Sequence, residues 1–556
     1  MKLRKISVLL ILIILAIISA CTFVPDDKEE APDCSKSYPV GGDKSIEASR
    51  KSGFYPCDFK VTFQSEEKGS LYYTLNGKVP KIGTSYTVKV DSSFNTGDLI
   101  KEDLSLISTT TNDEKFKFSW VKPIVNPVKG FSFNIARILN DTIKDQQTFT
   151  YIISSELSKS PVKSVFFNID RDDLFDQDSG VYVYGTAKEG DFEIKGKQGE
   201  QKCFMEYVNK KGEVKYSSYS GFSIHGYISR QNPQKSLKLS ARKKYGNKNF
   251  KYGFYKDGPK KFKKITLRSG ASGWGAGIYK DCLISELAKD LNFEVGKQIP
   301  VIVFINGEYW GVHFLAEKID RHYLIGNFKE EKSEINICRD NLRADYGSSE
   351  SFRSIVEFAM KNDLSNQANY NRFDSVVDME NYIDWFISET FFQNNDWPCN
   401  NTKLWNSRNS RKWRNFLVDM DAALNHPSEN TLKRSYDLNK KRPTPVNRCN
   451  FLIRNLMRNE SFRKAFESRA QELLKKELSY ETLNKTVSRY VEDFNHPALS
   501  AWHINRWGYP TLDDFESFED KLTNWIKERQ SYYLQEVEVF IEDGLEFSKS
   551  SYIPYK

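Results

Sequence analysis

Three oxygen-bearing side chains in the second half of the chain have the types and spacing that phosphoryl transfer from a nucleoside triphosphate requires. Asp396 lies in NNDWPCNNTKLWN, Asn401 stands five positions later, and FLVDMDAALN presents Asp419, 23 positions after Asp396. Such a site needs a carboxylate to accept the proton of a substrate hydroxyl. It then needs an amide oxygen and a second carboxylate on a short hairpin to hold divalent metal, in this order along the chain. Asp421 follows two residues after Asp419, on the same side of an extended chain, as a second metal ligand or a turn cap. Asn394 and Asn395 stand where the usual template has His-Arg, and Met420 and Asp421 replace its Phe-Gly. An Asp and an Asn five apart recur by chance. Two hydrophobic strands and a D-x-D after them make the pattern informative.

Elements must bring these groups together and add a cation for the phosphates. The apolar helical pattern of ENYIDWFISETFFQNND delivers Asp396, and KLWN and WRNFLVDMDAALN read as short strands around a turn. Upstream, HGYISRQNPQKSLKLSA offers a Gly-containing turn, then Arg230, Lys235 and Lys238. On a strand Lys235 and Lys238 face opposite sides, so only one of them meets phosphate. GFSIHGYISR, KSLKLSA and KKITLRSG are strand-like. IPVIVFINGEYWGVHFLAEKI is a hairpin turning at Asn306-Gly307, with Tyr309 and Trp310 as packing residues. GIYKDCLISELAKDLNF places Ile278, Cys282, Leu283, Leu287 and Leu291 at helical spacing. After about residue 330 helical patterns dominate. β-rich sequence followed by helices is an α+β, two-lobed layout.

Residues 1–20 carry Lys2, Arg4 and Lys5 before an apolar Ser7–Ile18 run, and end Ile18-Ser19-Ala20-Cys21. This resembles a bacterial lipoprotein signal, which implies lipidation of Cys21 and a membrane-anchored, extracytoplasmic protein. Residues 21–39 are a polar tether. Residues 40–154 alternate as strands of a small β-sandwich. Tyr73, Thr74, Leu75, Asn76, Gly77 and Pro80 there resemble the C-terminal sandwich module of chitobiases, an accessory unit. The carboxylates Asp170, Asp172, Asp173, Asp176 and Asp178 lack the Gly and Glu of an EF-hand loop, so a solvated turn is the better reading. The chain's +8 net charge is spread over 82 basic and 74 acidic residues, and the basic runs Lys260–Lys264 and Lys440–Arg442 are short. A nucleic-acid partner is not expected. Eight cysteines without CxxC spacing and six histidines without HExxH spacing argue against zinc. Cys34 and Cys57 are placed to pair in an oxidising exterior, and the other cysteines read as small apolar residues.

Residues 160–540, through GFSIHGYISRQNPQKSLKL, KKITLRSG, VIVFINGEYWGVHFLAEKID, NND and VDMD, resemble the CotH kinase family, named for a spore coat protein. The resemblance implies an atypical protein-kinase-like domain over 155–545, β-rich to about 330 and helical beyond. It implies use of ATP with Mg2+ or Mn2+, and transfer of the γ-phosphate to Ser or Thr of a secreted or surface protein. Position by position, Asp396 looks like the base, and Asn401 and Asp419, with Asp421, like the metal ligands. Lys235, in the family's Pro-x-Lys-Ser, looks like the phosphate-binding Lys, with Arg230 beside it. Glu317 falls where a hinge strand approaches nucleotide. LRSGASGWGAG lacks the acidic residue often found in that loop. The same fold also serves AMP transfer and glutamylation, and a non-enzymatic adhesin or scaffold is a third reading.

Overall fold

The computed structural model describes residues 45–555 apart from 92, 102, 105–122, 124, 125, 187–190, 197, 271–276, 341, 399, 439–446 and 509–516. The expected signal segment, Cys21, the tether and Lys440–Arg442 lie outside the described residues.

The first unit is all-β. Its main sheet runs, in space, Gly53–Tyr55, Thr142–Ile153, Lys129–Leu139, Ser70–Thr74 and Val88–Lys89. Two short pairs, Glu47–Ala48 with Phe63–Gln64 and Lys60–Val61 with Phe94–Asn95, lie across the shared core. Alternation puts Phe131, Phe133 and Ile135 on the inner face, against Val61 and Phe63. The rings of Phe63 and Phe133 stand 5.1 Å apart.

The second unit begins with a closed seven-stranded barrel. Its strands are β1 (Ser164–Ile169), β2 (Gln201–Val208), β3 (Val214–His225), β4 (Ser236–Ser240), β5 (Lys264–Arg268), β6 (Gln298–Ile305) and β7 (Glu308–Glu317). They run β1-β2-β3-β4-β5-β7-β6 around the barrel, and β6 closes onto β1 in parallel. The sequence dictates two faces. Phe222, Ile224, Leu237, Leu239, Ile265, Leu267 and Leu315 are all buried at 2% exposure or less and fill the interior. The alternate positions Ser223, Lys238, Thr266 and Ala316 stand opposite one another across β3, β4, β5 and β7. They form the face turned away from the barrel interior, with Ser223, Thr266 and Ala316 still buried. The β6–β7 hairpin turns at Asn306 (φ 49°) and Gly307 (φ 84°), as the Asn-Gly pair predicts. A Cβ on Gly307 would lie 2.5 Å from the Gly130 carbonyl carbon, so these glycines let sandwich and barrel backbones touch. Tyr309 and Trp310 are buried packing residues.

Helix α1 (Lys280–Leu287) crosses the barrel's edge and is shorter than the apolar spacing through Leu291 implies, because the chain leaves it at Ala288 for a turn. A second sheet follows, ordered Glu294–Val295, β10 (Arg414–Leu417), β9 (Lys403–Asn406), β8 (Asn336–Arg339) and Arg343–Tyr346. β9 and β10 are the expected short strands; β8 and its partner interrupt a region read as helical. The helical lobe centres on α2 (Met379–Phe391), buried along nearly its whole length, and on the 32-residue α3 (Phe518–Lys549). This is an α+β, two-lobed domain after a β-sandwich, the layout expected from the sequence. Cys57 and Cys449 are each in a disulfide of their own, which corrects the reading of Cys449 as a small apolar residue, whereas Cys203, Cys282 and Cys338 are free and buried.

Candidate active site

Helix α2 ends beneath a short loop, and its end is fixed from below. Arg529 of α3 donates from Nε to the Phe391 carbonyl at 2.8 Å and from a terminal nitrogen to that of Thr390 at 3.0 Å. These are carbonyls that a helix end leaves without partners. Glu536 holds Arg529 through two bonds of 2.6 and 2.8 Å. The loop is then built from amides. Asn394 donates to Glu389 Oε2 at 2.8 Å and its Oδ1 accepts the Asp396 N–H at 3.1 Å. Arg434 bonds the Asn394 carbonyl at 2.7 Å and also grips the Asn395 side chain. The two asparagines that replace His-Arg therefore anchor the loop. Burial raises the Glu389 carboxyl to about 8.

Asp396 emerges exposed at the loop's tip. Its Oδ2 accepts from Asn401 Nδ2 at 3.0 Å and from Asn400 Nδ2 at 2.8 Å, so the pair expected from spacing is in direct contact. Asp419 follows β10 in the left-handed region (φ 61°, ψ 56°), an uncommon conformation for Asp that turns its carboxylate out of the strand. The Asn395 N–H donates to the Ala422 carbonyl at 3.3 Å, which ties the two loops together.

Asn401 and Asp419 line one cavity of about 250 Å³ between the barrel, helix α1 and the second sheet. Its other walls include His225, Thr266, Arg268, Asp281, Glu317, Lys318 and Lys403. Lys318 Nζ stands 3.3 Å from His225 Nε2. Burial and the nearby Lys403 lower Lys318 to about 8, and burial with Lys318 holds His225 well below the usual imidazole range. Glu317 lines the cavity, where its Oε2 is engaged by the Lys297 N–H at 3.1 Å, and burial raises its pKa. Asp421 is buried behind Asp419.

Lys235 and Arg230 do not join this group. Lys235 is fully buried, and its Nζ donates to the carbonyls of Arg230 (2.8 Å) and Asn232 (3.0 Å), 4.0 Å from the Phe192 ring centre. Arg230 is spent on the carbonyls of Phe192, Ile224 and Gly226, at 2.6, 2.8 and 2.9 Å. Both brace the β3–β4 turn from inside. Lys238, on the opposite side of β4, shares the outer face with Thr266.

Two cleft residues escaped the sequence reading. Arg268 closes β5, with Nε 3.2 Å from Asp281 Oδ2 and a terminal nitrogen bonded to Asp419 Oδ1. Burial opposes its charge, but Asp281, Asp419 and Asp421 overcome that and raise its pKa. Asp281, on α1, accepts the Met420 N–H at 2.8 Å. The alternation Lys264, Thr266, Arg268 against Ile265 and Leu267 was the available signal for Arg268. A buried Asp in an apolar helix was the signal for Asp281.

The carboxylates of Asp419 and Asp421 and the Asn401 amide carry hard oxygens of the kind that would suit Mg2+ or Mn2+. The cationic Arg268 lying against them shows that this corner attracts positive charge. Among the described residues no three His, Cys, Asp or Glu side chains form a metal cage by themselves.

In comparison with known proteins, the family described as CotH kinase protein matches residues 222–533, more than half of the chain. No curated protein matches. Among solved structures, the proinflammatory kinase CtkA of Helicobacter pylori is 11% identical with a TM-score of 0.25, covering 56% of this chain and 95% of that one. The Golgi casein kinase is 11% identical with a TM-score of 0.22, covering 68% and 73%.

Proposed function

Since this chain belongs to the CotH kinase family, we propose that it is an extracytoplasmic protein kinase transferring the γ-phosphate of ATP to Ser or Thr of a secreted or surface protein. The observation that carries the reading is the contact of Asp396 with Asn401, at 3.0 Å, beside a cavity that Asn401 shares with Asp419. In the step proposed, the acceptor hydroxyl oxygen bonds to the γ-phosphorus as the bond to the β-bridging oxygen breaks. ADP leaves, and the hydroxyl proton passes to Asp396. Asn401 and Asp419, with Asp421, would hold the divalent cation, which when bound neutralises phosphate charge. Lys318 and His225, which line the cavity from the barrel side, and Lys238, beside Thr266, would meet the phosphates. The Asn400 and Asn401 amides orient the Asp396 carboxylate.

Lipidation at Cys21 after signal removal would hold the enzyme outside the membrane. The disulfide-bonded Cys57 and Cys449 support an oxidising compartment. Among the described residues no helix is long and apolar enough to cross a membrane. The test is incubation of the purified protein with ATP, Mn2+ and a Ser/Thr-rich acceptor, read by intact mass. A gain of about 80 Da per acceptor site, the mass of one phosphate, supports phosphorylation. A gain matching AMP or glutamate replaces the reading with that chemistry on the same fold. No gain with any acceptor, in protein that binds nucleotide, goes against transfer.

A further inference from the structure

The acidic corner of the cleft already holds a cation. Arg268 reaches it from β5. Its Nε lies 3.2 Å from Asp281 Oδ2, one terminal nitrogen bonds Asp419 Oδ1, and the same nitrogen stands 3.9 Å from Asp421 Oδ2. The three carboxylates are not equivalent. Asp281 is buried and fixed, its Oδ1 taken by the Met420 N–H at 2.8 Å and its Oδ2 by Gln298 Nε2 at 2.6 Å. Asp419, with 40% of its side chain exposed, faces the cavity. Three carboxylates gather on one guanidinium, and Lys280 also lies within electrostatic reach of Asp421.

We propose that Arg268 is a resident counter-cation on Asp419, that its distal edge would leave Asp419 Oδ1 when a divalent cation is bound, and that the released N–H groups would then contact a phosphate of the bound nucleotide. This rests on the kinase reading of the same cleft. Arg268 and a divalent cation compete for Asp419 Oδ1, and their like charges repel at close range. Asp281 keeps hold of Nε, so the change is a rotation of the guanidinium rather than its departure. The freed edge faces the cavity that Lys318 and His225 also line, where a planar fork of donors suits phosphate oxygens. Arg268 thus keeps these carboxylates from standing as bare, repelling charges. It then becomes a phosphate ligand without leaving its strand.

The account predicts two shifts of opposite sign for Arg268→Gln. Mn2+ alone, followed by the spin-resonance signal of free Mn2+, should bind about tenfold more tightly than to wild type, because a competing charge is gone. Mn2+ with the non-hydrolysable analogue AMP-PNP should bind at least about tenfold more weakly, because a charge-assisted bond to phosphate is lost. Arg268→Lys, too short to span Asp281 and Asp419, should show both shifts at about threefold, and it carries the test if the Gln variant does not fold. Unchanged or weaker Mn2+ binding, or unchanged AMP-PNP binding, in a variant melting within a few degrees of wild type would overturn the proposal. Opposed shifts in a protein that transfers no phosphate from ATP would overturn the kinase reading and leave Arg268 in this role.

Discussion

At the scale of single residues, the account turns on which cations face phosphate. Lys235 and Lys238 lie on opposite sides of β4, a parity that was legible in the sequence. Which side is the cleft was not, because that depends on the register with β3 and β5. Lys238 stands opposite Ser223 and Thr266, and Thr266 lines the cavity. Lys238→Ala should therefore weaken ATP binding about tenfold with little effect on melting temperature, since a charge-assisted bond is worth about 1.5–3 kcal/mol. Lys235→Met should do the reverse. It removes the Nζ bonds to the Arg230 and Asn232 carbonyls, at about 1–3 kcal/mol, while nucleotide affinity in the folded protein stays near wild type. Titration calorimetry and thermal melts on both variants separate the two roles. Lys318 adds a pH dependence. Lowered to about 8, it is charged below that pH and neutral above it, so ATP affinity should fall as pH rises from 7 to 9. Lys318→Met should flatten that fall.

At the scale of elements, the helix-to-loop step that presents Asp396 was readable from apolar spacing and the Asn-Asn-Asp ending. What supports it was not, because Arg529 and Glu536 lie more than 130 residues downstream of Asp396, on α3. Arg529→Met would leave Glu536 buried without its partner and the α2 end uncapped. The expected cost is about 3–5 kcal/mol, seen as a large drop in melting temperature. Glu389 gives a second test. Its carboxyl is raised from 4.5 to about 8 in the fold, so the folded state keeps a proton that the unfolded chain releases above about pH 4.5. Wild-type stability should fall as pH rises from about 4.5 to about 8 and level off beyond. Glu389→Gln, neutral throughout, should lack that component and gain on wild type across the same window. Parallel melting curves of the two proteins at each pH would contradict a buried, protonated Glu389.

At the scale of the whole molecule, the order of sandwich, β-rich lobe and helical lobe follows from where strand alternation gives way to helical spacing. The barrel's closure does not, because the parallel pairing of β1 with β6 joins residues about 140 apart. Arg268 and Asp281 escaped for a related reason: their partner Asp419 is 151 residues from Arg268, and only the fold brings them into one corner. The lipoprotein reading belongs at this scale too. Cys21→Ser should move the protein from the detergent phase to the aqueous phase in a cloud-point partition, with kinase activity of the released protein retained. The most direct test of the central claim is phosphoryl transfer by the Asp396→Ala protein compared with its binding of Mn2+ and AMP-PNP. The account predicts a loss of about 10²–10⁴-fold in the transfer rate with nucleotide and metal binding near wild type, as removal of a general base requires. Transfer by Asp396→Ala at the wild-type rate would contradict it.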